Sequence, residues 1–242
     1  MPRTTNAPPT SAPLVAQFSG ENLVVGAGVA IFHIASARVV VCSAYDRRGV
    51  KYHFLPKGRR DAGEEGRTGA EREGYEESGY RNRLLPLPTP HRQPLAHPRV
   101  ASPPLTAEPV WMQLMPLGHG AKQYVLYWYV AETLPPSLEA ELETEVGAAY
   151  KPPPPYPHDL SLRERVKLEP QGYEPLHHEG TGVDAEEQAY ESHLVSVEEA
   201  VGMLGRGGVM ADVVVKGWKG IQDRFAMEEV HGATTESPEA IM

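Results

Sequence analysis

The sequence predicts a mixed α/β layer fold in which helices lie on both sides of one sheet and two proline-rich insertions interrupt the chain. Three observations predict it. Short apolar runs rich in β-branched and aromatic residues open the chain and return near residue 110, with turn-prone segments between them. A Glu-rich segment with helix start and stop signals separates the two groups of strands. After Ser196, apolar residues recur at the spacing of core-facing helices. Strands, helix, strands and then helices bury a sheet between helical layers.

Each element has a local reason. Val29–Ile34, Arg38–Cys42 and Lys51–Leu55 read as strands divided by "ASA" and "DRRG". His33 lies in the first, with no cysteine or second histidine at metal spacing, so a satisfied interior histidine is expected rather than a ligand. The first insertion, about residues 84–108, carries seven prolines and excludes a helix or a central strand. "VWMQLMPL" and "KQYVLYWYVAE" resume the sheet, and Gln123–Val130 is the strongest strand signal of the chain. Its alternation sets Tyr127 and Tyr129 on one face and Trp128 on the other. The second insertion, about residues 134–187, holds nine prolines; a short helix is expected within "SLEAELETEVGAAY", and disorder or partial order over most of the rest. Ser196-Val-Glu-Glu199 is a capping-box pattern that starts a helix ended by Gly205. Val214, Trp218, Ile221 and Phe225 then form the apolar stripe of a second helix. One domain is expected over residues 23–230, between a disordered tail (1–22) and a loose C-terminal tail (231–242).

Composition narrows the function. Forty per cent apolar content in 242 residues supports a core. A formal charge of −9 gives no electrostatic footprint for nucleic acid, which is not an expected partner. No apolar run approaches the ~18 residues of a membrane span, and the N-terminus has no apolar signal-peptide core. Cys42 is the single cysteine and sits in an apolar run, so it is expected buried and unpaired in a reducing compartment. Cytoplasm, nucleus or both follow by elimination, and nothing in the sequence speaks to oligomeric state.

The chemistry concentrates in "LPKGRRDAGEEGRTGAEREGYEESGY", residues 55–80, which packs seven carboxylates and five Lys or Arg. Thr68-Gly-Ala-Glu71 predicts a capping box, a helix from Gly69 to Ser78 and Gly79 as its stop. At about 100° per residue, Glu73, Glu76 and Glu77 share one face. No Lys or Arg lies four residues after any of them within the helix, and Arg72 offsets only part of their charge. Two readings compete: a solvated charged face, or a carboxylate site for a hard divalent cation such as Mg²⁺ or Mn²⁺.

The spacing favours the second. Gly58, five residues, Glu64, seven residues, Arg72-Glu73, two residues, Glu76-Glu77, one residue and Gly79 resemble the signature of the Nudix hydrolases at all seven of its invariant positions. Gly74 and Tyr80 stand where that signature has bulky apolar residues, and Gly74 costs the helix about 1 kcal/mol against alanine. The resemblance implies the family's α/β/α sandwich over about residues 23–229 and hydrolysis of a diphosphate linkage to another group. It implies that Glu73, Glu76 and Glu77 hold one to three Mg²⁺ or Mn²⁺ with the Lys57 backbone carbonyl. Arg72 would orient the glutamates, Glu64 would support the metal shell or the loop, and Gly58 and Gly79 would be structural. The general base would be Glu186, Glu187, Glu191 or Glu73.

Between Asp46 and Arg60 lie six Lys or Arg against one Asp, so Lys57, Arg59 and Arg60 adjoin the site as candidate phosphate contacts. The Pro-Lys-Gly entry is similar to that of dinucleoside-polyphosphate hydrolases, diphosphoinositol-polyphosphate hydrolases and mRNA-decapping enzymes. A small phosphorylated substrate is expected, with dinucleoside polyphosphates favoured and diphosphoinositols as the alternative. Tyr127, Trp128 and Tyr129 are candidate base-stacking residues, and Arg59, Arg60, His91 and Arg92 candidate inositol contacts. A Nudix-fold module that binds a phosphate ligand without cleaving it is the alternative of another class.

Overall fold

The structure is a computed structural model and describes residues 8, 10–94, 105–118, 122–142 and 150–235. Parts of both insertions (95–104, 143–149), most of the first nine residues and residues 236–242 therefore lie outside the described residues. Eight strands form one sheet: β1 (Leu23–His33), β2 (Arg38–Tyr45), β3 (Lys51–Phe54), β4 (Lys57–Arg59), β5 (Asn82–Leu84), β6 (Trp111–Pro116), β7 (Gln123–Thr133) and β8 (Glu191–Ser196). The central order is β3-β2-β1-β7-β5, with β4 beside β1, β6 beside β7 and β8 beside β2. β1 and β7 run parallel, from Leu23↔Gln123 to Phe32↔Glu132; every other pairing is antiparallel, so the sheet is mixed.

β1 begins before the expected Val29. Gly26 and Gly28 weaken its sequence signal, yet both are required: a Cβ on Gly26 would strike the Tyr124 hydroxyl, and one on Gly28 would lie 2.5 Å from the Trp128 ring. Glycine here lets the β7 aromatics lie across β1.

Helices cover both faces. α1 (Gly66–Ser78) packs on one, where Ala27, Val29, Ile31, Ala70 and Tyr129 form a core. On the other, α4 (Val197–Met203) and α5 (Val209–Thr235) close over Phe32, Trp128, Val214 and Ile221. Each such buried side chain contributes about 1.5–3 kcal/mol. The stripe Val214, Trp218, Ile221, Phe225 faces this core as expected. α5 runs on through Thr235, beyond the expected end at residue 230, because no proline interrupts it before Pro238. Ser196 caps α4 by accepting a hydrogen bond from Glu199 N–H (3.3 Å), and Gly205 follows with φ +83°. Cys42 is buried and free, and burial pushes its thiol pKa up.

The second insertion is fastened to this frame. It contributes α2 (Pro136–Glu141) and α3 (Leu162–Lys167). α3 opens with a full capping box between Ser161 and Glu164 and carries Arg165 into the interior. The Arg165 guanidinium donates to the Thr133 carbonyl (2.8 Å) and pairs with Glu169 (2.8 Å) and Glu132 (2.7 Å). The Glu132 contact is an ion pair rather than an aligned hydrogen bond. Arg83 takes the other Glu132 oxygen at 2.6 Å. His33 spans Glu169 (3.0 Å) and Ser36 (2.6 Å), the satisfied interior histidine expected from sequence.

Candidate metal centre

The site is built where β4 hands the chain to α1. α1 begins at Gly66, a turn before the expected Gly69, with Glu65 as its N-cap and no side-chain cap. The Thr68–Glu71 capping box does not form, because Gly69 N–H already donates to the Glu65 carbonyl and the Glu71 carboxylate accepts from Leu84 N–H (2.7 Å). Gly79 stops the helix in the left-handed region (φ 71°), as expected.

The starting turn shifts, and of the three glutamates expected to act together Glu73 and Glu77 converge while Glu76 does not join them. Glu73 and Glu77, one turn apart, point inward and are buried. Gly58 is a glycine because the Glu73 carboxylate occupies the place its Cβ would take. Glu77 accepts from Lys57 N–H at 2.6 Å, which ties α1 to β4. Arg72 spends all five of its N–H donors. Two grip Glu64 (both 2.9 Å), two reach Glu73 (3.0 Å) and Glu76 (2.6 Å), and one reaches the Arg59 carbonyl (3.0 Å).

A fourth carboxylate arrives from the end of the second insertion. Oxygens of Glu73, Glu77 and Glu187 lie within 4.8 Å of one another, the one such convergence among the described residues. Glu186 is not in this group, and Glu191 lies on β8 paired with Lys51 at 2.7 Å. Glu76 flanks the group through Arg72, and Glu64 stands behind Arg72. Sequence reasoning named Glu187 only as one of several acids; its neighbours are equally acidic, and the turn that selects it is a tertiary feature.

Electrostatics mark the group as short of positive charge. Burial lifts Glu73 to about 7 despite Arg72, and Glu77 to about 8 despite Lys57. Burial also raises Glu76. At Glu64 burial pushes upward too, but hydrogen bonds from Arg72 and Asp61 N–H outweigh it and hold the carboxyl below its ordinary range. Buried oxygen donors without enough cations fit a hard divalent ion.

Beside the carboxylates opens a cleft of about 750 Å³. One wall is Leu23, Val25, Leu117 and Tyr124; Lys57, Arg59 and Arg60 stand next to the glutamates. Arg60 is committed to the Glu64 carbonyl (2.6 Å), whereas the Arg59 side chain is exposed. The aromatic residue of the cleft is Tyr124, whose hydroxyl donates to the Gly58 carbonyl (3.1 Å). The stacking candidates Tyr127, Trp128 and Tyr129 do not line it: Trp128 is core on the α5 side and the two tyrosines pack on the α1 side. His91 and Arg92 are not in its lining either.

Neither a family model nor a curated protein matches this chain. Among solved structures, a Nudix hydrolase from Nitrosomonas europaea shares 10% identity at a TM-score of 0.43, covering 81% of this chain and 89% of that one. A C. elegans Ap4A hydrolase in a binary complex shares 14% at 0.39 (80% and 93%). A Nudix-family hydrolase from Clostridium perfringens shares 11% at 0.39 (82% and 95%). The chain resembles the Nudix hydrolases.

Proposed function

We propose that this chain is a Nudix-type, metal-dependent hydrolase that cleaves a diphosphate linkage in a nucleoside-polyphosphate-type substrate, with dinucleoside polyphosphates favoured. The observation that carries it is the meeting of Glu73, Glu77 and Glu187 beside a cleft edged by Lys57 and Arg59. One to three Mg²⁺ or Mn²⁺ would be held by Glu73, Glu76 and Glu77, with Glu187 and the Lys57 carbonyl as further oxygen donors. Such an ion lowers the pKa of coordinated water and neutralises diphosphate charge.

The protein's own groups divide the remaining work. Arg72 fixes Glu73 and Glu76 relative to each other and, with no donor to spare, leaves phosphate binding to other cations. Glu64 acts as the second half of that clamp and supports the loop rather than the metal. Arg59 and Lys57 supply charge to the phosphates; Arg60 mainly holds the loop. One oxygen of Glu187 is held by Val183 N–H (2.8 Å), which leaves the other to face the metal as a further donor.

The apolar wall and Tyr124 suit a planar group at one end of the substrate better than a fully phosphorylated ring. His91 and Arg92, which a diphosphoinositol site would use, stand apart from the cleft. The experiment is incubation with Mg²⁺ and diadenosine polyphosphates, diphosphoinositols, nucleotide sugars or capped RNA, with products followed by ³¹P NMR. Turnover of a dinucleoside polyphosphate, abolished in Glu76→Gln, is the expected result. Binding of one of these compounds without turnover of any would replace the enzyme by a ligand-holding module.

A further inference from the structure

The box supplies three glutamates on a rigid helix, but Glu187 sits on a turn at the end of the second insertion and needs its own means of placement. We propose that Thr181 is a positioning residue that locks the Glu187-bearing turn onto the end of α1; this rests on the metal-site reading above. α1 ends at Ser78, where Gly79 N–H donates to the Tyr75 carbonyl (2.8 Å) and Tyr80 N–H turns to the Ser78 hydroxyl (3.3 Å). The Glu76 carbonyl therefore loses its helical donor. The Thr181 hydroxyl takes that place, donating at 2.9 Å.

The chain reaches Thr181 along a fixed path. Tyr80 bridges His177, and His178 N–H donates to the Gly79 carbonyl at 2.8 Å. The His178 ring meets the Glu139 carboxylate at 2.6 Å. After Thr181 the turn closes on itself. Asp184 accepts from Glu186 and Glu187 N–H (2.8 and 3.0 Å), and Gln188 N–H donates to the Asp184 carbonyl (3.0 Å). A Cβ on Gly182 would lie 2.6 Å from Gln188 N and 2.7 Å from the Glu187 carbonyl carbon. This turn is rigid within itself, and Thr181 is the side chain that joins it to α1 just behind Glu76 and Glu77. The insertion is thus part of the active centre rather than an ornament on the fold.

The test is Mn²⁺ titration of the full chain by calorimetry, which needs no substrate. Thr181→Val keeps the shape and removes the donor; it is expected to weaken Mn²⁺ binding about 10-fold, as loss of a group that orients a metal ligand does. Thr181→Ser should bind like the wild type. Gly182→Ala, which distorts the turn without touching Glu76, should weaken binding as well. In a Glu187→Gln background Thr181→Val should cost nothing further, because the two act through one contact. Wild-type affinity in Thr181→Val, or an equal loss in the Glu187→Gln background, overturns the positioning role. A wild-type chain that binds no Mn²⁺ overturns the metal reading itself.

Discussion

Gly74 is one of two residues at which the box departs from the resemblance, and the fold gives a reason for it that can be measured. A Cβ at this position would lie 2.5 Å from Asn82 Nδ2 and 2.9 Å from Val29 Cγ1. Asn82 is 1% exposed, and its amide donates to the Glu71 carbonyl (3.0 Å) and the Tyr80 carbonyl (3.3 Å), stitching β5 to α1. Gly74→Ala gains about 1 kcal/mol of helix propensity. Against that, overpacking costs about 1–3 kcal/mol, and displacing the amide weakens two hydrogen bonds worth about 1 kcal/mol each. The net expectation is a loss of about 2 kcal/mol, or roughly 4–8 °C of melting temperature in a chain of this size. Calorimetric melts of the metal-free protein measure it. A Gly74→Ala chain as stable as the wild type would refute the reasoning. So would strict additivity with Asn82→Ala, since removing the amide should make room and the double variant should cost less than the two singles together.

Three further outcomes are expected. Burial raises Glu73 to about 7 and Glu77 to about 8, so between about pH 5 and pH 8 the folded metal-free chain holds protons that the unfolded chain has released. Its melting temperature should therefore fall as pH rises across that window, and Mg²⁺ should restore most at the upper end; a flat or rising profile would count against a starved carboxylate site. Arg59→Ala should raise KM about 10-fold with kcat nearly unchanged, and a drop in kcat alone would deny it a binding role. Arg165→Met takes from Glu132 and Glu169 their shared partner, leaving them only Arg83 and His33, and should lower the unfolding free energy by about 3 kcal/mol in urea titrations; a change under 1 kcal/mol would mean that water reaches the pair.

The carboxylate-bearing helix was legible because it is written in spacing. The helix, the inward glutamates, the stop at Gly79 and the Arg72 clamp all follow from residues within one short segment. Features set by tertiary contacts were not. Thr68-Gly-Ala-Glu71 looks like a capping box, but Glu71 serves Leu84 N–H on β5, a partner that local sequence does not reveal. Gly26 and Gly28 hide the start of β1 because their purpose lies in the rings of Tyr124 and Trp128. Glu187 is distinguished from Glu186 and Glu191 only by the turn that carries it. Ser161-Leu-Arg-Glu164 was an open signal for α3, masked by the prolines around it.

The buried charges of Arg83, Glu132, Arg165 and Glu169, which end on the His33 ring, have a thermal consequence. Stripping water from such groups costs most at low temperature, and that cost shrinks on heating while apolar contacts gain little. The insertion's attachment should thus soften less with heat than an apolar seam of equal strength at 25 °C. Near the melting point, α3 and its anchor to Thr133 should be among the last parts of the molecule to let go.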